Sequence, residues 1–259
     1  MTHTVRNFYH RENPISAQGI EFSDEVVEGA SAYYKFGFSE VVSTSEVTIW
    51  PDASLYVFPT TAVTMNVSST SNTDQTGGGG AATVIIEGLD ANYDEVIETV
   101  NTSGNAGVAT STSFLRINRA YVTNVGANAT NDGHIFIGTG GITGGVPDVF
   151  YANVEAGEGQ TLQAVYTVPR NHTAFITGFT AAHGKSANEA TFRFKQRNNG
   201  FGFRMLDKFI LLQDNLVQPY TPPRKIEQET DIMATAQANA GTVDATFNWN
   251  MVLWNNEHE

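Results

Sequence analysis

Short runs of Val, Ile, Thr, Phe and Tyr recur about every ten residues along this chain, each closed by Gly, Asn, Asp, Ser or Pro, with no sustained helical periodicity. That spacing constrains the fold more than any other feature. Parallel sheets need crossover helices, and none can be placed, so the pattern predicts an all-β chain of antiparallel sandwiches or jelly rolls. The predicted strands lie in VTIWP, SLYVFP, TAVTMNVSS, ATVIIEGL, EVIETV, SFLRINRAYVTNV and HIFIGT. They continue in TLQAVYTVP, TAFITGFTA, ATFRFKQR, FGFRML, KFILLQ, TDIMATAQA and ATFNWNMVLW.

Two such domains are expected, behind an extended N-terminal arm at residues 1–30 that shows neither strand nor helix periodicity. The stretch 138–160 carries seven glycines, a density that regular structure tolerates poorly. It marks the expected boundary between a domain at 31–155 and a second at 156–259. The GGGG run at 77–80 reads as an exposed loop tip.

Charge divides the same way. Residues 1–160 hold 18 acidic and 5 basic side chains, whereas residues 161–259 hold 9 of each, so the net charge of −13 belongs to the first part. A strongly negative surface repels phosphate backbones and anionic membranes, which argues against nucleic acid and membrane as partners. The absence of cysteine excludes disulfides, thiol catalysis and cysteine-based metal sites. No run approaches the 18 or so apolar residues of a membrane span, and the first residues lack a signal peptide's apolar region. A soluble protein made in a cytoplasm is expected.

Motifs for chemistry fail on inspection. DANYDE sets oxygen side chains at Asp90, Asn92 and Asp94, as a calcium loop begins, but the sixth position is Glu95 and the twelfth Asn101, where such a loop needs Gly and Glu. A hairpin turn is the reading left. HGKS at 183–186 follows Gly178 by one residue too many for a phosphate-binding loop and precedes a strand pattern. The six histidines contain no i, i+4 pair, and no serine lies in a G-x-S-x-G elbow. Asp94, Glu95 and Glu98 form an acidic cluster that reads as a solvated strand face. No catalytic residue, metal ligand or cofactor is assigned.

In TFRFKQR, strand alternation puts Phe192, Phe194 and Gln196 on one face and Arg193, Lys195 and Arg197 on the other. Single-stranded nucleic acid needs bases and aromatics side by side on one exposed face, and here they are opposed. The basic stripe is therefore expected to meet the acidic first part of a neighbouring copy, making Arg193, Lys195 and Arg197 candidate inter-subunit contacts.

The segments SEVTIWPDASLYVFP, VSSTSNTDQTGGGGAATVIIEGLDANYDEVIETV and TSTSFLRINRAYVTNVGANATNDGHIFIG, with YTVPRNHTAFITGFTAAHGK and PPRKIEQETDIMATAQANAGTVDATFNWNMVLW, resemble virion structural proteins of tailed bacteriophages, particularly marine ones. The order GLDANYDEV then SFLRINRAYV carries most of the likeness, which spans most of residues 40–254. The resemblance implies an oligomeric β-sandwich protein of the capsid decoration or cement type, not an enzyme. It would be made in the host cytoplasm, form a homo-oligomer, with a trimer expected, and bind the major capsid protein on the virion surface. It transfers no catalytic or ligand residues. A receptor- or carbohydrate-binding module of a head fibre or tail is the alternative reading, with Trp50, Trp249 and Trp254 as aromatics to locate.

Overall fold

The computed structural model describes residues 27–184, 188–212 and 214–258, so most of the expected N-terminal arm lies outside the described residues. The chain is all-β, and every pairing between strands is antiparallel. Strands are numbered in chain order. The first sheet has the order β1 (Ala30–Val42), β16 (Val243–Asn255), β11 (His172–Ala182), β14 (Asn215–Ile226). The second runs β10 (Val165–Thr167), β15 (Thr230–Ala238), β12 (Glu189–Asn198), β13 (Arg204–Leu212), and the short β2 (Val47–Thr48) also pairs with β15. The third runs β6 (Val108–Phe114), β3 (Val63–Ser69), β8 (Ile135–Thr143), β9 (Val146–Val154). The fourth is β5 (Glu95–Asn101), β4 (Ala81–Leu89), β7 (Arg116–Val125).

The four sheets form a propeller-like ring rather than two clearly separate jelly rolls. The likeness to a propeller is one of outline, because propeller blades are consecutive meanders and the first sheet takes strands from both ends of the chain. Side chains gather into two main cores. Phe179, Phe247 and Trp249 of the first sheet meet Phe192, Phe194, Ile232 and Ala234 of the second. Met65, Val67, Ile135 and Ile137 of the third meet Val84, Ile86, Ile117 and Ala120 of the fourth.

Three expectations change. The strand β1 pairs along its length with β16, from Ala30 against Trp254 to Val42 against Val243, so residues 30–42 belong to a sheet of the C-terminal part. A unit spanning 31–155 therefore does not match the strand pairing. The glycine-rich stretch 138–160 is no linker over most of its length: it supplies much of the β8–β9 hairpin. Within the hairpin its glycines fall at register shifts and at the two-residue turn Gly144–Gly145, both at positive φ, where side chains would strain, and Gly157 and Gly159 lie in the loop after β9.

The GGGG run, thirdly, is exposed only at its start: Gly77 has open space around it, Gly78 and Gly79 are half-buried, and Gly80 is buried. Gly80 N donates to Thr73 O, and Gly126 N donates to Gly80 O. A Cβ on Gly80 would sit 2.1 Å from Asp74 Oδ1. Asp74 is fully buried, and its carboxylate accepts from Ala81 N at 2.8 Å, Asp132 N at 2.8 Å, Gly133 N at 2.9 Å and Ser69 Oγ at 2.6 Å. The carboxylate replaces the backbone partners these loop N–H groups would otherwise lack.

Candidate functional site

Asp231, the second residue in the buried run of β15, accepts hydrogen bonds from three other strands, two of which bring a guanidinium. Arg116, the first residue of β7, donates through Nε to Asp231 Oδ1 at 2.8 Å and through Nη2 to Oδ2 at 3.1 Å. Its Nη1 donates to Pro59 O at 2.7 Å and Leu115 O at 2.9 Å. Thr167 Oγ1 adds a bond to Oδ1 at 2.7 Å, and Arg197 of β12 closes on Oδ2. The Arg116 and Asp231 side chains are 7% and 4% exposed, so this is a buried ion pair with its polar atoms satisfied.

Aromatic rings wall the junction. The Arg116 guanidinium lies 5.2 Å from the Phe58 ring and 5.5 Å from the Tyr93 ring; that of Arg197 lies 5.0 Å from Phe58 and 4.6 Å from Phe203. Because Arg116 is in the fourth sheet and Asp231 in the second, the junction ties the two main cores together. Below it a second polar seam does the same. Asn118 of β7 bonds the backbone of Thr167 with both its side-chain atoms, and buried Lys35 of β1 donates to Asn118 O. Burial pushes the Lys35 amine down to about 7, with Arg119 adding to the shift and Glu87 opposing it.

The basic stripe lies on the outer face of β12, with Phe192 and Phe194 fully buried on the other. Its charge is met within the chain. Lys195 bonds Glu46, Arg193 lies 3.8 Å from Glu46 and bonds Gln237 Oε1 at 2.8 Å, and Arg197 is taken by Asp231. Burial would raise the Glu46 carboxyl, but hydrogen bonds from Lys195 and Thr235 outweigh it and hold the group below its ordinary value. The three residues expected to reach a neighbouring copy are thus engaged in their own fold.

The other motifs are also structural. DANYD is the β4–β5 hairpin loop: Asp90 Oδ1 accepts from Asn92 N at 2.8 Å and Asp94 N at 3.0 Å, and Tyr93 takes φ 65°. Tyr93 O accepts from Arg170 N at 2.8 Å while its ring covers Arg116, so this loop touches the C-terminal part of its own chain. Within the acidic cluster, Glu98 accepts from the backbone N–H groups of Ser111 and Thr112, both at 2.7 Å, linking β5 to β6. In HGKS, Gly184 N donates to Asp244 Oδ1 at 2.9 Å, and residues 185 and 186 lie outside the described residues. Among the described residues, no group of three or more His, Cys, Asp or Glu side chains could hold a metal ion.

Two surface features remain. Trp50, itself buried, anchors an aromatic run: its ring centroid lies 5.5 Å from Phe150 and 5.1 Å from Tyr56, and the run continues through Phe58 to Phe203. Beside it opens a cleft of about 200 Å³ lined by Leu55, Val57, Asp52, Asp148, Phe150 and Tyr151. Trp249 is fully buried in the first core. The second feature is apolar: Phe201, Met205, Ile210, Leu212 and Val217 are 71%, 53%, 62%, 61% and 66% exposed. They flank or lie on β13 and β14, the edge strands of the second and first sheets.

No protein-family model matches this sequence, and no curated protein matches it significantly.

Proposed function

We propose that this chain is a non-enzymatic structural protein of a tailed-bacteriophage virion, a decoration or cement protein that binds the major capsid protein on the outer shell and stabilises the head. On this reading the protein works as a homo-oligomer, a trimer, and its four sheets act as two sandwich-like units. The observation that carries the reading is how the ionisable side chains are used. Arg116, Arg197, Lys195, Glu46, Asp74 and Asp231 are all spent on internal bonds, while the sheet edges keep exposed apolar side chains such as Ile210, Leu212 and Val217 beside exposed charges such as Glu40, Asp94 and Lys208. A protein that holds a shell by area needs such a surface, and many copies add avidity to weak single contacts. The resemblance of GLDANYDEV and SFLRINRAYV to phage virion proteins supports the same reading, and these segments form the hairpin and the arginine strand at the junction between the cores.

Cryo-electron microscopy of purified virions tests it. Density for this chain in stoichiometric copies on the capsid exterior is expected, together with lower heat resistance of heads that lack it. A few copies confined to the tail would refute a cement role.

A second reading, a carbohydrate- or receptor-binding module, rests on the Trp50 cleft. Sugar rings stack on aromatic side chains, and Asp52 and Asp148 offer acceptors for hydroxyls. Saturation-transfer NMR with host-surface glycans should then show contacts that Tyr151→Ala removes.

A further inference from the structure

We infer that Asn199–Gly200 is a site of spontaneous covalent modification: the Asn199 side-chain amide is lost through a cyclic imide, leaving aspartate and isoaspartate in the β12–β13 turn. The chemistry needs water and no partner, so it is independent of whether the chain binds heads.

Asparagine reacts in this way when the backbone nitrogen that follows it can reach its side-chain carbonyl carbon. A following glycine favours this, because no Cβ shields its nitrogen and both signs of φ are open to it. The sequence has one Asn–Gly step, at 199–200, and one Asp–Gly step, at 132–133, where an aspartate can cyclise in the same manner. The two steps carry the same local signal, and the fold separates them.

Asn199 and Gly200 are the central pair of a turn closed by Phe201 N, which donates to Asn198 O at 3.0 Å. Both are exposed, and Gly200 takes φ 78°. Gly200 N donates to no group among the described residues, and a Cβ on Gly200 would meet nothing within 4 Å, so the nitrogen is free and has room to move. The Asn199 amide makes one long bond, from Nδ2 to Glu229 Oε2 at 3.4 Å. Its neighbour Asn198 is held better, accepting from Arg204 Nη2 at 2.6 Å. An open cleft of about 520 Å³, lined by Asn198, Phe201, Gly202, Phe203 and Arg204, brings water to the turn.

The Asp132–Gly133 step is locked. Gly133 is buried and its N donates to Asp74 Oδ2 at 2.9 Å, so the nucleophile is occupied. The Asp132 carboxylate accepts from Asn128 Nδ2 at 2.9 and 2.8 Å and from Thr73 Oγ1. A Cβ on Gly133 would sit 2.5 Å from Ser71 N, which leaves no room for the backbone to turn. Reaction there must wait for the loop to open.

At Asn199, hydroxide takes the proton of Gly200 N and the nitrogen attacks Asn199 Cγ. The Cγ–Nδ2 bond breaks, and Nδ2 leaves as ammonia with a proton from water. Water then opens the imide. Cleavage at Cγ leaves a normal backbone with a carboxylate at position 199; cleavage at the α-carbonyl carbon routes the main chain through Cβ and Cγ and lengthens it by one methylene. Either product sets a new carboxylate beside that of Glu229, which lies 3.4 Å from Arg170 Nε, and the longer form loosens the closure made by Phe201 N.

The test holds the full chain in mildly alkaline buffer and reads its proteolytic peptides by tandem mass spectrometry. A gain of about 1 Da on the peptide that contains Asn199 is expected, split into two chromatographic forms and faster as hydroxide rises. Gly200→Ala should slow it by at least about tenfold, since a Cβ then covers the nitrogen. Asn199→Gln, which keeps the amide and the glycine, should also slow it, because the ring must then be one atom larger. Unfolding in guanidinium separates fold from sequence: it should speed isomerisation at Asp132–Gly133 by at least about tenfold and change the rate at Asn199 by less than about threefold. In the modified fraction, separated by its added charge, the Phe201 amide should exchange faster with solvent. A folded chain that keeps Asn199 intact while the unfolded chain loses its amide overturns the inference, as does another asparagine that reacts first or a Phe201 amide that exchanges as before.

Discussion

Asp231→Asn isolates the junction between the two cores. The substitution keeps the shape of the side chain and removes its charge, leaving Arg116, 7% exposed, and Arg197 pointing at a neutral amide. Removing one partner of a buried ion pair costs about 3–5 kcal/mol, because the remaining charge stays desolvated. In a chain of this size each kcal/mol lowers the melting temperature by about 2–4 °C, so the variant should melt roughly 6–20 °C below wild type. Arg197→Ala should cost less, since its side chain is 29% exposed and water can replace part of the interaction. The triple change Arg116→Met, Arg197→Met and Asp231→Leu should recover part of the loss, because no guanidinium is then left without its carboxylate. Urea and thermal unfolding, followed by circular dichroism, measure all three. A loss below about 1 kcal/mol in Asp231→Asn would refute the argument, since that is the range of exposed pairs.

Lys35, held near pKa 7 when folded, regains its ordinary value on unfolding, so between about pH 7 and 10 the unfolded chain binds one more proton. Stability should therefore rise with pH across pH 7–9 by up to about 1.4 kcal/mol per unit, and Lys35→Met should flatten that slope in urea titrations. Asp74→Ala strands the N–H groups of Ala81, Asp132 and Gly133, and should cost about 3 kcal/mol or more in the same assay. Lys195→Glu sets two carboxylates together at Glu46 and should lower the melting temperature; the exchange Lys195→Glu with Glu46→Lys should restore it, with both effects weaker in high salt.

Much of the secondary structure was legible because apolar residues alternate with a period of two. ATVIIEGL and EVIETV become β4 and β5, and TFRFKQR buries Phe192 and Phe194 as alternation requires. The misses have physical causes. In β1 the inward positions include Lys35, Gly37 and Ser39 while Tyr34 is exposed, which inverts the expected pattern. Three prolines hide β14, which is tolerated because it is an edge. SLYVFP looks like a strand but forms no ladder; Tyr56 and Phe58 fill a small core with Trp50 instead. The basic character of the stripe residues was visible, and their acidic partners Glu46 and Asp231 were not.

The sequence by itself determined the class of the fold and the faces of regularly alternating strands such as β12, since these follow from local alternation and turn chemistry. Only the tertiary structure decided that β1 closes a sheet with β16, that Gly80 packs against the buried Asp74, and that Arg116 and Arg197 share Asp231. Those pairings join residues as far apart as Ala30 and Trp254, 224 positions away from each other. Nothing in a local pattern encodes which distant charge will be desolvated beside which, because that choice is made by how the sheets pack.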